Sequence, residues 1–123
     1  MDSVINFMSE YQKILMTTDW NKLSDFFQDD CAMIYSDGTY IGKKALKKAF
    51  EKTFSLMKNG KFYISDIHCA AITEQFCSCV FELKWSAEIC GDKIVGKDRG
   101  TCCLVKFNNS WKIVNQHLGP VAK

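Results

Sequence analysis

Residues 97–120 constrain the fold more tightly than any other stretch. Two strand-like runs, 99–107 and 111–118, flank the polar tripeptide Asn108-Asn109-Ser110. Strands separated by three turn residues read as an antiparallel hairpin. The first run carries apolar residues on both faces, with Cys103, Val105 and Phe107 on one and Cys102 and Leu104 on the other. Such a hairpin belongs in the middle of a sheet, with helices over one face and a second subunit as the natural cover of the other. On the second run, a period of two puts Trp111, Ile113, Asn115 and His117 on one face. That row starts apolar and ends polar, as a pocket wall would.

The upstream chain supplies the cover. Val4, Phe7, Met8, Tyr11, Ile14 and Leu15 recur at helical spacing and predict an amphipathic helix. Thr17-Thr18-Asp19 offers cap chemistry for a shorter helix carrying Trp20, Leu23, Phe26 and Phe27, which Gln28-Asp29-Asp30 stops. A short strand over 31–35 and a turn at Ser36-Asp37-Gly38-Thr39 follow. A third helix starts after Gly42, buries Leu46, Ala49, Phe50, Thr53, Phe54 and Met57, and closes at Asn59-Gly60. From Lys61 the period is two. Phe62, Ile64, Asp66 and His68 share one strand face; Cys79, Phe81, Leu83 and Trp85 share a face of the next, and Gly91-Asp92-Lys93 reverses the chain. Helices followed by an antiparallel sheet make an α+β layout.

At 123 residues, 47% hydrophobic and 24% charged, the chain fits one domain spanning 1–123. A net charge of +2 lacks the concentrated basic surface of a nucleic-acid binder. The lysines on the third helix, Lys43, Lys44, Lys47, Lys48 and Lys52, read as its solvated side. The seven cysteines are odd in number and no secretory leader precedes them, so they read as reduced core thiols in a cytoplasmic protein rather than a disulfide framework. No run approaches the ~18 apolar residues of a membrane span. Cys77-x-Cys79 and Cys102-Cys103 lack zinc-ligand spacing, although Cys77 and Cys79 share a face and could cluster with Cys103. No nucleotide-binding or nucleophile-elbow motif is present. We therefore expect no metal and no cofactor.

Four segments carry a resemblance to a known superfamily. They are Asp19-Trp20-Asn21-Lys22-Leu23, Phe27-Gln28-Asp29-Asp30-Cys31, Asp37-Gly38-Thr39-Tyr40-Ile41-Gly42-Lys43-Lys44-Ala45-Leu46, and Trp111-Lys112-Ile113-Val114-Asn115-Gln116-His117. In these the chain resembles the NTF2-like superfamily, and within it SnoaL-like and DUF4440-type proteins. The resemblance implies a cystatin-like cone of three N-terminal helices packed on a strongly curved antiparallel sheet around a cavity. It does not choose a reaction. The final strand is also similar to that of the kinase association domain, whose role would be homodimerisation.

Residues placed to line such a cavity are Trp20, Tyr35, Tyr40, Phe54, Trp85, Arg99 and Asn115, a set suited to a small apolar or aromatic ligand. The candidate chemistry rests on His117, Asp66, His68 and Tyr11. A histidine can exchange a proton near neutrality, and Asp66 precedes His68 by two residues on one strand face. Each has a plainer alternative: a sheet-end hydrogen bond for His117, surface chemistry for Asp66 and His68. Arg99, the only arginine, could fork a carboxylate or pair with Glu82. Steroid-isomerase chemistry is not expected. The resemblance places a first-helix tyrosine at Tyr11, but it puts Tyr35 where the base would stand and Cys103 where the second acid would. A scytalone-dehydratase-like site would instead combine His68 or His117 with Asp66 or Asp98, beside Tyr11 and Tyr35. The chain thus reads as a small-molecule pocket protein, either lyase- or isomerase-like or a non-catalytic binder. Its alternative is an association module paired through the outer sheet face, where Val80, Cys102, Leu104, Val114 and Leu118 are expected.

Overall fold

The computed structural model describes residues 2–122. Helix α1 (Asp2–Leu15) leads to a single helical turn, α2 (Trp20–Leu23), and a 3-10 turn at Ser24–Phe26. Strands β1 (Phe27–Tyr35) and β2 (Gly38–Ile41) precede helix α3 (Lys43–Leu56). Four long strands complete the chain: β3 (Lys58–Ile72), β4 (Phe76–Ile89), β5 (Asp92–Phe107) and β6 (Ser110–Pro120). All six strands form one sheet in the order β2–β1–β6–β5–β4–β3. The β5–β6 hairpin occupies its centre, which is why both of its faces are apolar.

The helical part is lighter than three full helices. Asp19 caps α2 as expected, accepting from the Asn21 N–H at 2.9 Å. The chain then turns into β1 at Phe27, a residue expected on the helix, and the strand starts four residues before the expected 31. Nor is the sheet wholly antiparallel, because β1 and β6 pair in parallel. The central turn is one residue shorter than expected. Asn108 and Asn109 both take positive φ, 51° and 63°, and Ser110 already pairs with Phe107. That is the type I′ geometry whose twist suits a two-residue hairpin, and asparagine tolerates it.

Helix α1 buries Val4, Met8, Tyr11 and Leu15 against the sheet. Its Gln12 Oε1 accepts the backbone N–H of Ile64 at 2.6 Å, and Trp111 Nε1 donates to Ser3 Oγ at 3.1 Å. Helix α3 differs. Only Leu46 is fully buried, because the rest of its apolar face roofs a cavity instead of a packed core.

Two bulges decide which residues face inward. In β6, Leu104 pairs with Ile113 but Cys103 pairs with Asn115, leaving Val114 as the extra residue. A bulge shifts the side-chain phase by one. Trp111 and Ile113 point in, then Gln116 and Leu118 do, while Asn115 and His117 join the outer row. Pairing with β1 agrees: buried Met33 meets Gln116, and exposed Ile34 meets His117. In β3 the step from Ser65 to His68 spans one residue more than its partner step on β4, with Asp66 at φ 55°. Phe62 and Ile64 point in before it, Ile67 and Cys69 after it.

The outer row therefore runs across neighbouring strands as Ile34, His117, Thr101, Val80 and His68. Two residues expected on the outer face are inside: Cys102 and Leu104 are fully buried under the helices. Leu118 also turns inward, carried there by the Val114 bulge.

Candidate functional site

A cavity of about 320 Å³ lies between α3 and the concave sheet face. Helix α3 roofs it with Phe50, Phe54 and Met57; the sheet supplies Tyr35, Phe62, Leu83, Trp85 and Leu118. Phe50 joins this wall to the core, with its ring centroid 5.9 Å from Phe27, 5.3 Å from Phe54 and 6.3 Å, edge-on, from Tyr35. Trp85 can lie where it does because Gly96 stands opposite it on β5. A Cβ on Gly96 would sit 2.3 Å from the indole.

Tyr35, Gln116, Asp98 and Asp37 bring polar groups into this apolar space. The Tyr35 hydroxyl donates to Gln116 Oε1 at 3.0 Å, and Gln116 Nε2 faces Cys102 Sγ at 3.9 Å. Gln116 is the one fully buried polar side chain among the described residues. Asp98, opposite inward-facing Leu83, places a carboxylate in the wall. Burial raises its pKa above the ordinary aspartate value. Among the described residues no cation forms an ion pair with it; the neighbouring Lys97 pairs with Glu82 at 3.5 Å on the other face. Asp37 adds a second carboxylate at the β1–β2 turn.

Both tyrosines near Gln116 stay protonated. Burial drives the Tyr11 phenol far upward, nearby Cys102 adds to this, and a hydrogen bond with Gln116 only partly offsets it. Burial likewise drives Tyr35 well up, with the Tyr11 phenol next in effect. Asp98 is thus the wall carboxyl whose protonated form burial favours.

Of the sequence candidates, Tyr35, Phe54 and Trp85 line the cavity. Tyr11 is buried behind it, beside Gln116. Trp20 belongs to the core, stacked on Phe27 at 5.9 Å, and Tyr40 stands behind Tyr35 with ring centroids 6.0 Å apart. His117 and His68 are exposed in the outer row, and Asp66 is exposed at its bulge, so none of the three reaches the cavity. Arg99 is exposed opposite Glu82, and Asn115 spans the β6–β1 seam by donating to the Ala32 carbonyl at 2.7 Å. No histidine–aspartate pair of the dehydratase kind can form in the cavity from these side chains.

Gln116 was not among the sequence candidates, and Asp98 was named there only as a partner for a histidine. Strand parity relative to Leu104 and Cys102 places Asp98 inward, whereas Gln116 is reached only by admitting the bulge. The thiols cluster, but through Cys102 rather than Cys103. Cys102 pairs with Cys79 across the strands, and Cys77 Sγ donates to Cys69 Sγ at 3.6 Å. Burial, then the Cys69 contact, pushes Cys77 up to about 12. All seven cysteines are free, and no group of three His, Cys, Asp or Glu side chains among the described residues forms a metal-binding arrangement. No helix there is long and apolar enough to cross a membrane.

A helix-roofed, curved six-stranded sheet around one cavity is the architecture of the cystatin-like, NTF2-like class. Solved structures of that shape are similar over nearly the whole chain. A candidate scytalone dehydratase from Novosphingobium aromaticivorans has TM-score 0.86 and 19% identity, covering 99% of this chain and 84% of that one. A candidate dehydratase of the NTF2-like family from Streptomyces avermitilis has TM-score 0.87 and 12% identity, covering 99% and 97%. A candidate calcium/calmodulin-dependent protein kinase II association domain from Xanthomonas campestris has TM-score 0.86 and 17% identity, covering 98% and 86%. At these identities the likeness is one of fold. The model of the SnoaL-like domain matches residues 4–123, and the chain belongs to that family. No protein of curated function matches it.

Proposed function

We propose that the chain binds a small, largely apolar molecule in this cavity, and that Asp98 is the group that moves a proton on it. The carrying observation is a cavity of about 320 Å³, within the range of small-molecule sites, whose wall holds a partly buried carboxylate with no ion-pair partner among the described residues. Tyr35 and Gln116 fix one end of the ligand through a rigid hydrogen-bonded pair, and the rings of Phe50, Phe54 and Trp85 hold its body. A lyase- or isomerase-like reaction needs a base that takes a proton from carbon and an acid that returns one; Asp98 can serve as both in turn. The setting is the cytoplasm, consistent with seven free thiols.

Native mass spectrometry of the purified protein tests the binding role. Wild type should carry a small-molecule adduct that Ala49→Phe, which fills the roof, loses. Asp98→Asn should abolish turnover even at saturating ligand once the compound is identified. A wild-type protein that comes through adduct-free, and takes up nothing from a cell extract, would overturn this reading.

A second role is supported by the outer row. Ile34 and Val80, 41% and 40% exposed, put apolar area on a sheet face that no helix covers. We propose self-association through this face. Sedimentation as a monomer at high micromolar concentration would refute it.

A further inference from the structure

The charge around the cavity has a sign opposite to that of the chain. Lysine and arginine outnumber aspartate and glutamate by 16 to 14 overall, yet among the described residues no lysine, arginine or histidine lines the cavity. Its charged groups are Asp98 and Asp37. The lysines of α3 that are exposed, Lys44, Lys47, Lys48 and Lys52, lie off the lining, and Arg99 projects from the opposite side of β5 to Asp98.

Three ligand classes meet this wall differently. An anion would face two carboxylates across a partly dehydrated space, where like charges repel more strongly than in water. A neutral molecule would displace water from Asp98 and leave it no counter-charge. A cation would supply the missing partner. The walls favour the same answer, because the five rings of Tyr35, Phe50, Phe54, Phe62 and Trp85 line the space, and an aromatic face attracts an organic cation. Two of the wall groups act as acceptors. The Tyr35 hydroxyl spends its proton on Gln116 Oε1, so what it offers a ligand is an acceptor oxygen. Asp98 ionised is acceptor-only. The lining also holds the Ser36 and Thr53 hydroxyls and the Trp85 indole N–H, but the Asp98 carboxylate is the group an ammonium neutralises, beside aromatic faces and with no cation in the lining among the described residues.

We propose that the cavity selects a protonated organic amine with an aromatic or alicyclic body, its ammonium seated on the Asp98 carboxylate. The inference rests on the reading of the cavity as a ligand site and names the class of ligand it takes.

Isothermal titration with three indoles of matched shape tests it: tryptamine, tryptophol and indole-3-propionate, respectively cation, neutral and anion. On wild type, tryptamine should bind at least about tenfold more tightly than tryptophol, and the propionate should be weakest. Asp98→Asn should erase the gap between amine and alcohol while leaving the alcohol within about twofold of its wild-type affinity. Equal or tighter binding of the alcohol or the acid to wild type would overturn the amine proposal and leave the ligand site standing. Survival of the full gap in Asp98→Asn would overturn the seat at Asp98. If none of the three binds at millimolar concentration the amine proposal falls, and the adduct carried by the native protein decides the site separately.

Discussion

The pairing of Gln116 with Tyr35 allows a quantitative test of the site's construction. Gln116 is 2% exposed and its Oε1 accepts the Tyr35 proton at 3.0 Å. Gln116→Leu keeps the approximate volume and removes the acceptor, leaving the Tyr35 hydroxyl, and Tyr11 beyond it, without its partner. A buried polar group left unsatisfied costs ~1–3 kcal/mol. Because Tyr35 can turn its hydroxyl toward the cavity, while Tyr11 is sealed in the core, a loss of about 2 kcal/mol is expected. Tyr35→Phe strands Gln116 Oε1 instead, at about 1.5 kcal/mol. In the double variant neither member of the pair is orphaned. It should therefore be more stable than the sum of the single losses by roughly 1.5 kcal/mol, since removing both partners is far cheaper than removing one. Urea unfolding of the four proteins, with the slope unchanged across them, gives the coupling directly. Losses that add to within about 0.3 kcal/mol would show that the two side chains do not hold each other.

Four further outcomes follow from the same geometry. Burial raises the Asp98 carboxyl in the folded protein, so the folded state binds that proton more tightly than the unfolded chain does. Stability contributed by its protonated form is then lost as pH rises through the unfolded and then the folded value. Asp98→Asn should accordingly be more stable than wild type at neutral pH, with the gap closing near about pH 3; a variant less stable at neutral pH would contradict it. His117→Ala should leave ligand affinity unchanged within about twofold and alter only self-association; a large loss of binding would place His117 inside. Gly100→Ala should cost about 3 kcal/mol by thermal or urea unfolding, because its Cβ would come within 2.1 Å of the His117 carbonyl oxygen, a backbone atom that cannot step aside. Gly96→Ala should be milder and shrink the cavity, since the Trp85 ring it strikes is free to swing.

Composition and periodicity carried most of the architecture. The apolar stripe from Val4 to Leu15, the cap at Asp19 and the doubly apolar hairpin each had a local cause, and each local cause survived folding. The parallel pairing of β1 with β6 had no such cause, because it joins residues more than eighty positions apart. The half-exposed state of α3 was equally hidden. An amphipathic stripe records that a helix has an apolar side, but not whether that side meets a core or roofs a cavity.

The site was less legible than the fold for a reason that the bulges make specific. Strict period two breaks at one residue in β6 between Trp111 and His117, and at one residue in β3 between Phe62 and His68. The signal was present as a change of parity. Apolar residues are odd-numbered at Trp111 and Ile113 but even at Leu118; they are even at Phe62 and Ile64 but odd at Ile67 and Cys69. Polar Asn115 and His117 continuing an apolar row marked the place where that row left the interior. Read instead as a pocket wall turning polar, the same residues put the histidines inside. A bulge also bends and twists its strand, so the residues that curve this sheet into a concave floor are the ones that break the alternation used to say what lines it. In a flat sheet the simple parity would hold, and there would be no cavity to line.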